Sequence, residues 1–354
     1  MDDLLVYGSY GYTGRLVARE AVSRGATPVL AGRNRDRVRD QADELGLEWR
    51  AFDLEGADEH IGDFDAVCNC AGPFVDTAAP MVEACLEAGT DYLDVTGEVD
   101  VLAAIAKLDE AATEAGVTLL PGAGFDVTPS DCLAASLHET FPSAESLAIG
   151  ISGWGSLTAG TLRTGLLNVG DGGVIRRNGK LLRVPTAAET RAFDFGSGPT
   201  ATVAVPLGDV VTAYHSTGIG TIATYIDLPR PLIRAMAVGR PLEPVLATRP
   251  VRRGLGRLVD AVAEGPDEAE RETGRPTIQA EVCVDDRIER ARVRTPNTYA
   301  LTADAIVSAA TRVLAGEAPA GYRTPATAFG HGFVLDLEGV ERERLPPLSR
   351  SSDS

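Results

Sequence analysis

Leu4-Leu5-Val6-Tyr7-Gly8-Ser9-Tyr10-Gly11-Tyr12-Thr13-Gly14 runs four apolar positions into three glycines, each three residues from the next. The apolar run reads as a buried strand, and the stretch Thr13 to Ser23 behind it has helical period, so the glycines fall at a strand-to-helix turn. Without Cβ atoms there, backbone amides and a helix N-terminus can approach a pyrophosphate. One glycine is displaced from the G-x-G-x-x-G spacing, and glycines also end strands for conformational reasons alone. The reading therefore depends on what surrounds the turn.

Outward from it, apolar runs alternate with helical segments. Strands are expected at Leu4 to Tyr7, Pro28 to Ala31, Glu48 to Phe52, Ala66 to Asn69, Tyr92 to Val95 and Val117 to Leu120. Helices are expected at Thr13 to Ser23, Arg35 to Leu45, Ala78 to Ala88 and Val99 to Ala115. This rhythm makes repeated βαβ units and a parallel, doubly wound sheet, a Rossmann domain over residues 1–130. Thr128-Pro129 starts a helix leading out of it. From Leu147 to about Thr295 the pattern changes to alternating strands, including Ala201 to Pro206, Thr221 to Asp227, Thr277 to Val284 and Ile288 to Arg294. Glycine turns such as Asp171-Gly172-Gly173 and Asn178-Gly179 join them, which predicts a second, α+β domain over 131–297 with a largely antiparallel sheet. A C-terminal helical stretch, 298–330, is expected to pack back on the first domain, and the tail 345–354, rich in Pro and Ser, to fray.

Arg33 sharpens the glycine turn. It stands nineteen residues after Gly14, at the end of the second strand, where NAD-specific folds place an acid on the ribose 2′-hydroxyl. A guanidinium attracts a 2′-phosphate and can stack on adenine, so NADP is the expected cofactor. Its cradle would comprise Gly8, Tyr10, Gly11, Tyr12, Thr13, Gly14 and Arg33, with Cys70, Ala71, Gly72 and Pro73 after the fourth strand beside ribose and nicotinamide. Asp53, ending the third strand, could accept from the adenine amine or cap the next helix. For chemistry, Asp94, Glu98 and Asp126 lie at later strand ends, where reactive groups collect. Asp131 and Glu98 could equally be acids complementing helix dipoles. His215, next to Tyr214 on an expected strand of the second domain, is a further candidate proton carrier. The catalytic candidates are thus Asp126, Glu98 and His215.

Composition excludes other classes. The 354 residues carry 51 acids against 33 basic residues, a formal charge of −18, which argues against a nucleic-acid partner. Among the basic residues only Lys107 and Lys180 are lysine, an acidic, lysine-poor balance expected of a halophilic, salt-adapted surface. Five cysteines with no Cys-x-x-Cys pair point to reduced, buried thiols, and Cys68 and Cys70 lack the further soft ligands a zinc site needs, so no metal is expected. The acidic start Met1-Asp2-Asp3 is not that of a signal peptide and no stretch is apolar enough to span a bilayer, so a cytoplasmic location is expected. The segment 228–258 departs from the rest, with seven arginines against the single acid Glu243. It reads either as a lid or peripheral membrane contact, or as surface helices whose arginines meet the acidic body. Exposed antiparallel strands would offer a homodimer a route to form.

Tyr7 to Gly14, Ala31-Gly32-Arg33, Asn69 to Phe74, Tyr92 to Glu98 and Pro121 to Asp131 together resemble the saccharopine dehydrogenase-like oxidoreductase family, in particular the branch with trans-acting enoyl reductases. Pro206 to Asp209, Thr295-Pro296 and Tyr322 to Gly330 are similar too. The resemblance implies an NADP-binding Rossmann domain, a second α+β domain, and hydride transfer to a C=C or C=N bond of a small or lipid-like substrate; it pins no catalytic residue. Two alternatives stand beside it. One is a non-catalytic NADP(H) sensor, since NmrA-like regulators have a similar displaced glycine turn. The other is saccharopine or opine chemistry, with Arg163, Arg176 or Arg177 holding an amino-acid carboxylate.

Overall fold

The computed structural model describes residues 3–153, 172–242 and 275–349. The chain divides into two units, Met1–Ala135 with Tyr299–Gly339, and Ser136–Thr298 with Val340–Ser354.

The first unit is built on β1 (Leu4–Tyr7), β2 (Val29–Gly32), β3 (Trp49–Ala51), β4 (Ala66–Asn69), β5 (Asp91–Asp94), β6 (Thr118–Leu120) and β15 (Gly321–Tyr322), all paired in parallel. Their order is β15-β6-β5-β4-β1-β2-β3, so the direction of winding reverses between β1 and β4. That reversal is where a doubly wound sheet opens a crevice at its carboxyl edge. The connecting helices are α1 (Tyr12–Ser23), α2 (Arg35–Leu45), α3 (Asp58–Ile61), α4 (Phe74–Ala88), α5 (Val99–Ile105) and α6 (Asp109–Ala115). Local chemistry sets their ends: Asn34 accepts from the Arg37 amide to start α2, and left-handed Gly46 and Gly89 stop α2 and α4. Leu4, Leu5, Val6, Leu30, Val67 and Leu93 are fully buried, as strands covered on both faces require.

Here the structure departs from expectation in three places. The sheet has seven strands rather than six, because β15 is only two residues long and too short to leave a periodic signal. The helix expected from Val99 to Ala115 is interrupted by a 3₁₀ turn at Ala106–Leu108. The stretch 298–330 is not one helix: Thr298–Leu314 is helical, left-handed Gly316 follows, and β15 and the short helix Pro325–Phe329 complete it.

α7 (Thr128–Thr140) crosses the division between the units. The second unit carries β7 (Ser146–Ser152), β8 (Gly173–Arg177), β9 (Lys180–Val184), β10 (Thr190–Asp194), β11 (Pro199–Ala204), β12 (Ile222–Asp227), β13 (Thr277–Val284), β14 (Arg287–Arg294) and β16 (Glu341–Ser349). They run β10-β11-β12-β7-β13-β14-β16, with β8 and β9 branching from β12; only the β12–β7 pair is parallel. Asn178 and Gly179, both at positive φ, form the two-residue turn between β8 and β9. The tail expected to fray is paired with β14 as far as Ser349, its alternating Glu341, Arg342, Glu343 and Arg344 being held by strand pairing and by Arg292–Glu343 and Arg344–Glu289 contacts. Pro346 and Pro347 leave this edge strand short of amide donors, a feature that discourages further pairing. Of the segment 228–258, residues up to 242 are described: Arg230–Gly239 is a helix with Ile233 buried beside Ala187 and Val203, and Arg240 donates to the carbonyls of Thr186 and Ala187. The remainder, with Glu243, lies outside the described residues. Among the described residues no helix is long and apolar enough to cross a membrane.

Candidate dinucleotide and proton-transfer site

The glycine turn has little room for anything but glycine. Gly8 has φ +74, and a Cβ there would meet the Ala71 backbone nitrogen at 2.7 Å; a Cβ on Gly14 would run into the Gly8 carbonyl oxygen. Gly11 precedes α1 with no capping side chain, and the helix has no acid of its own in the first turn. This is the construction that receives a phosphate. Thr13 lies in that first turn, and Tyr12, half-exposed, meets the Tyr299 ring edge-on at 4.8 Å. Ser9 is fully buried and its hydroxyl has no hydrogen-bond partner.

Tyr10 packs at the end of β2. Its ring fills the space a Cβ on Gly32 would need, its hydroxyl accepts from the Asn34 amide at 3.2 Å, and the Arg37 guanidinium lies 4.6 Å over it. Arg33 beside it is exposed and makes no ion pair among the described residues, leaving its fork open to a 2′-phosphate. Asp53 is also exposed, and its Oδ1 accepts from the amide of Leu54 rather than capping α3, whose N-cap is Ala57. Arg37, stacked on Tyr10, went unsingled in the sequence; its place in the first turn of the helix that follows Arg33 was the available signal.

Past β4, Cys70 is buried with its thiol pushed up to about 12 by burial, and so packs rather than reacts. Ala71 abuts Gly8, and Gly72 and Pro73 are exposed at the entry to α4.

Two carboxylates collect beyond. Gly97 separates the turn after β5 from Asp126, whose Oδ2 lies 2.9 Å from where a Gly97 Cβ would stand. Asp126 forms no hydrogen bond or ion pair among the described residues, and the protein packed around it raises its carboxyl to about 6. Glu98 accepts from the Phe74 amide at 3.2 Å through Oε1, while Oε2 is buried without a partner; burial raises its pKa, opposed by the Phe74 and Val75 amides. The structure therefore brings Glu98 and Asp126 to one end of the sheet, that of the glycine turn.

Asp94 behaves differently. It is fully buried, its Oδ1 accepts from Thr96 and Gly122 amides at 2.9 and 2.7 Å, and its Oδ2 accepts from the Tyr92 hydroxyl at 2.7 Å. Burial lifts its pKa to about 6 against those three donors, which engage both of its oxygens. Asp131, also fully buried, accepts from the Ala326 amide at 2.9 Å. Tyr92, missed in the sequence, shares a strand face with Asp94 by its i, i+2 spacing. His215 is corrected: it lies on the helix Asp209–Thr217 of the second unit, not on a strand, against the ring of Tyr214. The pattern Val210-Val211-Thr212-Ala213 is a β-branched run, and here burial of Val210, Val211 and Ala213 along one helix overrides that propensity.

The second unit holds a cavity of about 350 Å³ on one face of its sheet, lined by Arg176, Arg177, Glu189, Arg191, Tyr225 and Glu281 among others. Arg176 donates to the carbonyls of Val210 and Gly179 and stacks on Tyr214, and Arg177 pairs with Glu189 at 2.7 Å. Arg163 lies outside the described residues.

With this geometry in view, residues 4–120 match the family model "Saccharopine dehydrogenase NADP binding domain". The match covers about a third of the chain. The matched domain binds NADP, and the exposed Arg33, without an ion pair among the described residues, and the open glycine turn fit that cofactor. The chain is similar to a probable mitochondrial saccharopine dehydrogenase-like oxidoreductase of Arabidopsis thaliana, 30% identical over 36% of this chain and 33% of that one. It is similar also to a trans-acting enoyl reductase of Mycobacterium tuberculosis, 32% identical over 36% of this chain and 34% of the other. The match thus spans about a third of the length of these curated relatives. Among solved structures, saccharopine dehydrogenase (L-Glu forming) of Saccharomyces cerevisiae aligns over 98% of this chain and 100% of its own with a TM-score of 0.67 at 13% identity, a likeness of fold.

Proposed function

We propose that the chain is an NADP(H)-dependent oxidoreductase that transfers hydride to a C=C or C=N bond of a small or lipid-like substrate. What carries this reading is Asp126 packed against Gly97, its carboxyl raised by burial, at the same sheet edge as Glu98, whose Oε2 is buried without a partner, and the glycine turn. Bound at that edge, NADP supplies the hydride. The protein's own part is the proton. A carboxyl held to about 6 is still partly protonated near neutrality, so Asp126 can donate to the carbon or nitrogen left behind. Glu98, anchored by the Phe74 amide, keeps a fixed acceptor at the same edge of the sheet.

NADPH carrying deuterium at C4 is offered with two panels, enoyl thioesters and imino acids, and product deuteration is followed. One panel should take up deuterium, and Asp126→Asn should slow it by about a hundredfold while leaving NADPH affinity unchanged. Equal turnover by the variant removes Asp126 from the mechanism. Tight NADPH binding with no deuterium in either panel would make the chain a cofactor-responsive regulator instead.

A further inference from the structure

Three strand ends are joined by one buried chain of hydrogen bonds. Asn69, Tyr92 and Asp94 are each fully buried, and Asn69 and Asp94 are register partners on β4 and β5. From the cofactor side, the Ala71 amide donates to Asn69 Oδ1 at 3.1 Å, Asn69 Nδ2 donates to the Tyr92 hydroxyl at 3.3 Å, and that hydroxyl donates to Asp94 Oδ2 at 2.7 Å. Asp94 Oδ1 then accepts from Thr96 and Gly122, the turns that lead to Glu98 and Asp126. Thr96 passes the constraint on, its hydroxyl accepting from the Glu98 amide at 3.1 Å. At the other end Ala71 is the residue against which Gly8 is packed.

We propose that Asn69, Tyr92 and Asp94 form a positioning relay that sets the Ala71 face of the dinucleotide turn and the two carboxylate-bearing turns as one unit. The proposal rests on the reading of this edge as the NADP and proton-transfer site. Tyr92 touches no ligand in this scheme, yet beside the β4–β5 strand pairing its hydroxyl is the side-chain link, among the described residues, between Asn69 and Asp94. Three buried groups joined in this way hold one another's orientation, and cutting the middle one leaves an amide and a carboxylate oxygen unsatisfied together.

Tyr92→Phe cuts the link without opening a void. Affinity for NADPH and NADH should fall together by about fivefold, leaving their ratio unchanged, because the relay acts on the turn and not on the 2′-phosphate. Asn69→Ala should do the same, and the double variant should be no weaker than the weaker single one. In the cofactor-free protein, amide hydrogen exchange at Ala71, Thr96 and Gly122 should rise together in Tyr92→Phe. Additive losses of affinity, or exchange that rises at Thr96 and Gly122 while Ala71 stays protected, would overturn the relay. Should the wild type bind neither nucleotide, the functional reading fails, and the exchange experiment still decides the relay.

Discussion

Glu98 and Asp126 at the edge of the first sheet, and Glu189 and Glu281 around the cavity of the second, are all buried in part or in full, but they are compensated differently. In the cavity each acid has a guanidinium. Arg177 meets Glu189 at 2.7 Å, and both Nε and Nη2 of Arg191 donate to Glu281, whose other oxygen accepts from Gln279. At the sheet edge neither carboxylate has a cation among the described residues, one Glu98 oxygen is unpartnered, and burial raises both acids. A buried polar group without a partner costs stability, so capacity left open in this way is kept where a ligand or a proton will use it. Matched charges make a cavity wall; unmatched ones make a site.

The largest effect is expected where that matching is broken. Arg191→Ala leaves the almost wholly buried Glu281 carboxylate without its cation, and should cost about 2–3 kcal/mol of stability, below the range for a fully buried pair because Arg191 keeps about a third of its surface exposed. Urea unfolding measures it, and NADPH affinity should not move. If the loss is within 0.5 kcal/mol or so, the pair is only a surface contact and the comparison loses its first half.

Arg33→Ala is the corresponding change at the sheet edge and should do the reverse. Arg33 makes no ion pair among the described residues, so stability should hold. NADPH affinity should fall about tenfold, about 1.4 kcal/mol, with NADH affinity unaltered, as titration of nucleotide fluorescence would report. A variant that still prefers NADPH to the same degree would move the 2′-phosphate contact to Arg37.

These contrasts were unevenly visible in the sequence. The first sheet was legible because its strands are short apolar runs punctuated by Gly8, Gly32 and Gly72, and because Arg33 falls at a fixed distance from the turn. β15 was not, since two residues carry no period, and neither was the tail strand, where Pro346 and Pro347 resemble a frayed end. Asp94, Glu98 and Asp126 looked alike as strand-end acids. What separates them is which amides and hydroxyls surround each one, and that depends on contacts between strands that no local pattern encodes. The helix bearing His215 was read as a strand for a related reason, its β-branched residues being placed by burial rather than by propensity.

The smallest expected effect tests whether the unmatched acids pay for their burial. An acid whose pKa is raised in the folded chain binds its proton more tightly there than when unfolded. Its penalty is absent below the ordinary value of 3.8, grows as pH rises toward 6, and is full above that. Between pH 5 and 7, Asp126 should therefore remove about 1 kcal/mol of stability. Asp94, raised to the same value, adds a slope of the same sign, so the measurement must be a difference between proteins. Asp126→Asn should flatten the pH dependence of the urea midpoint by that amount and leave the contribution of Asp94 in place. A variant whose slope matches the wild type would show that Asp126 titrates as an ordinary surface acid, and the edge would then differ from the cavity only in lacking arginines.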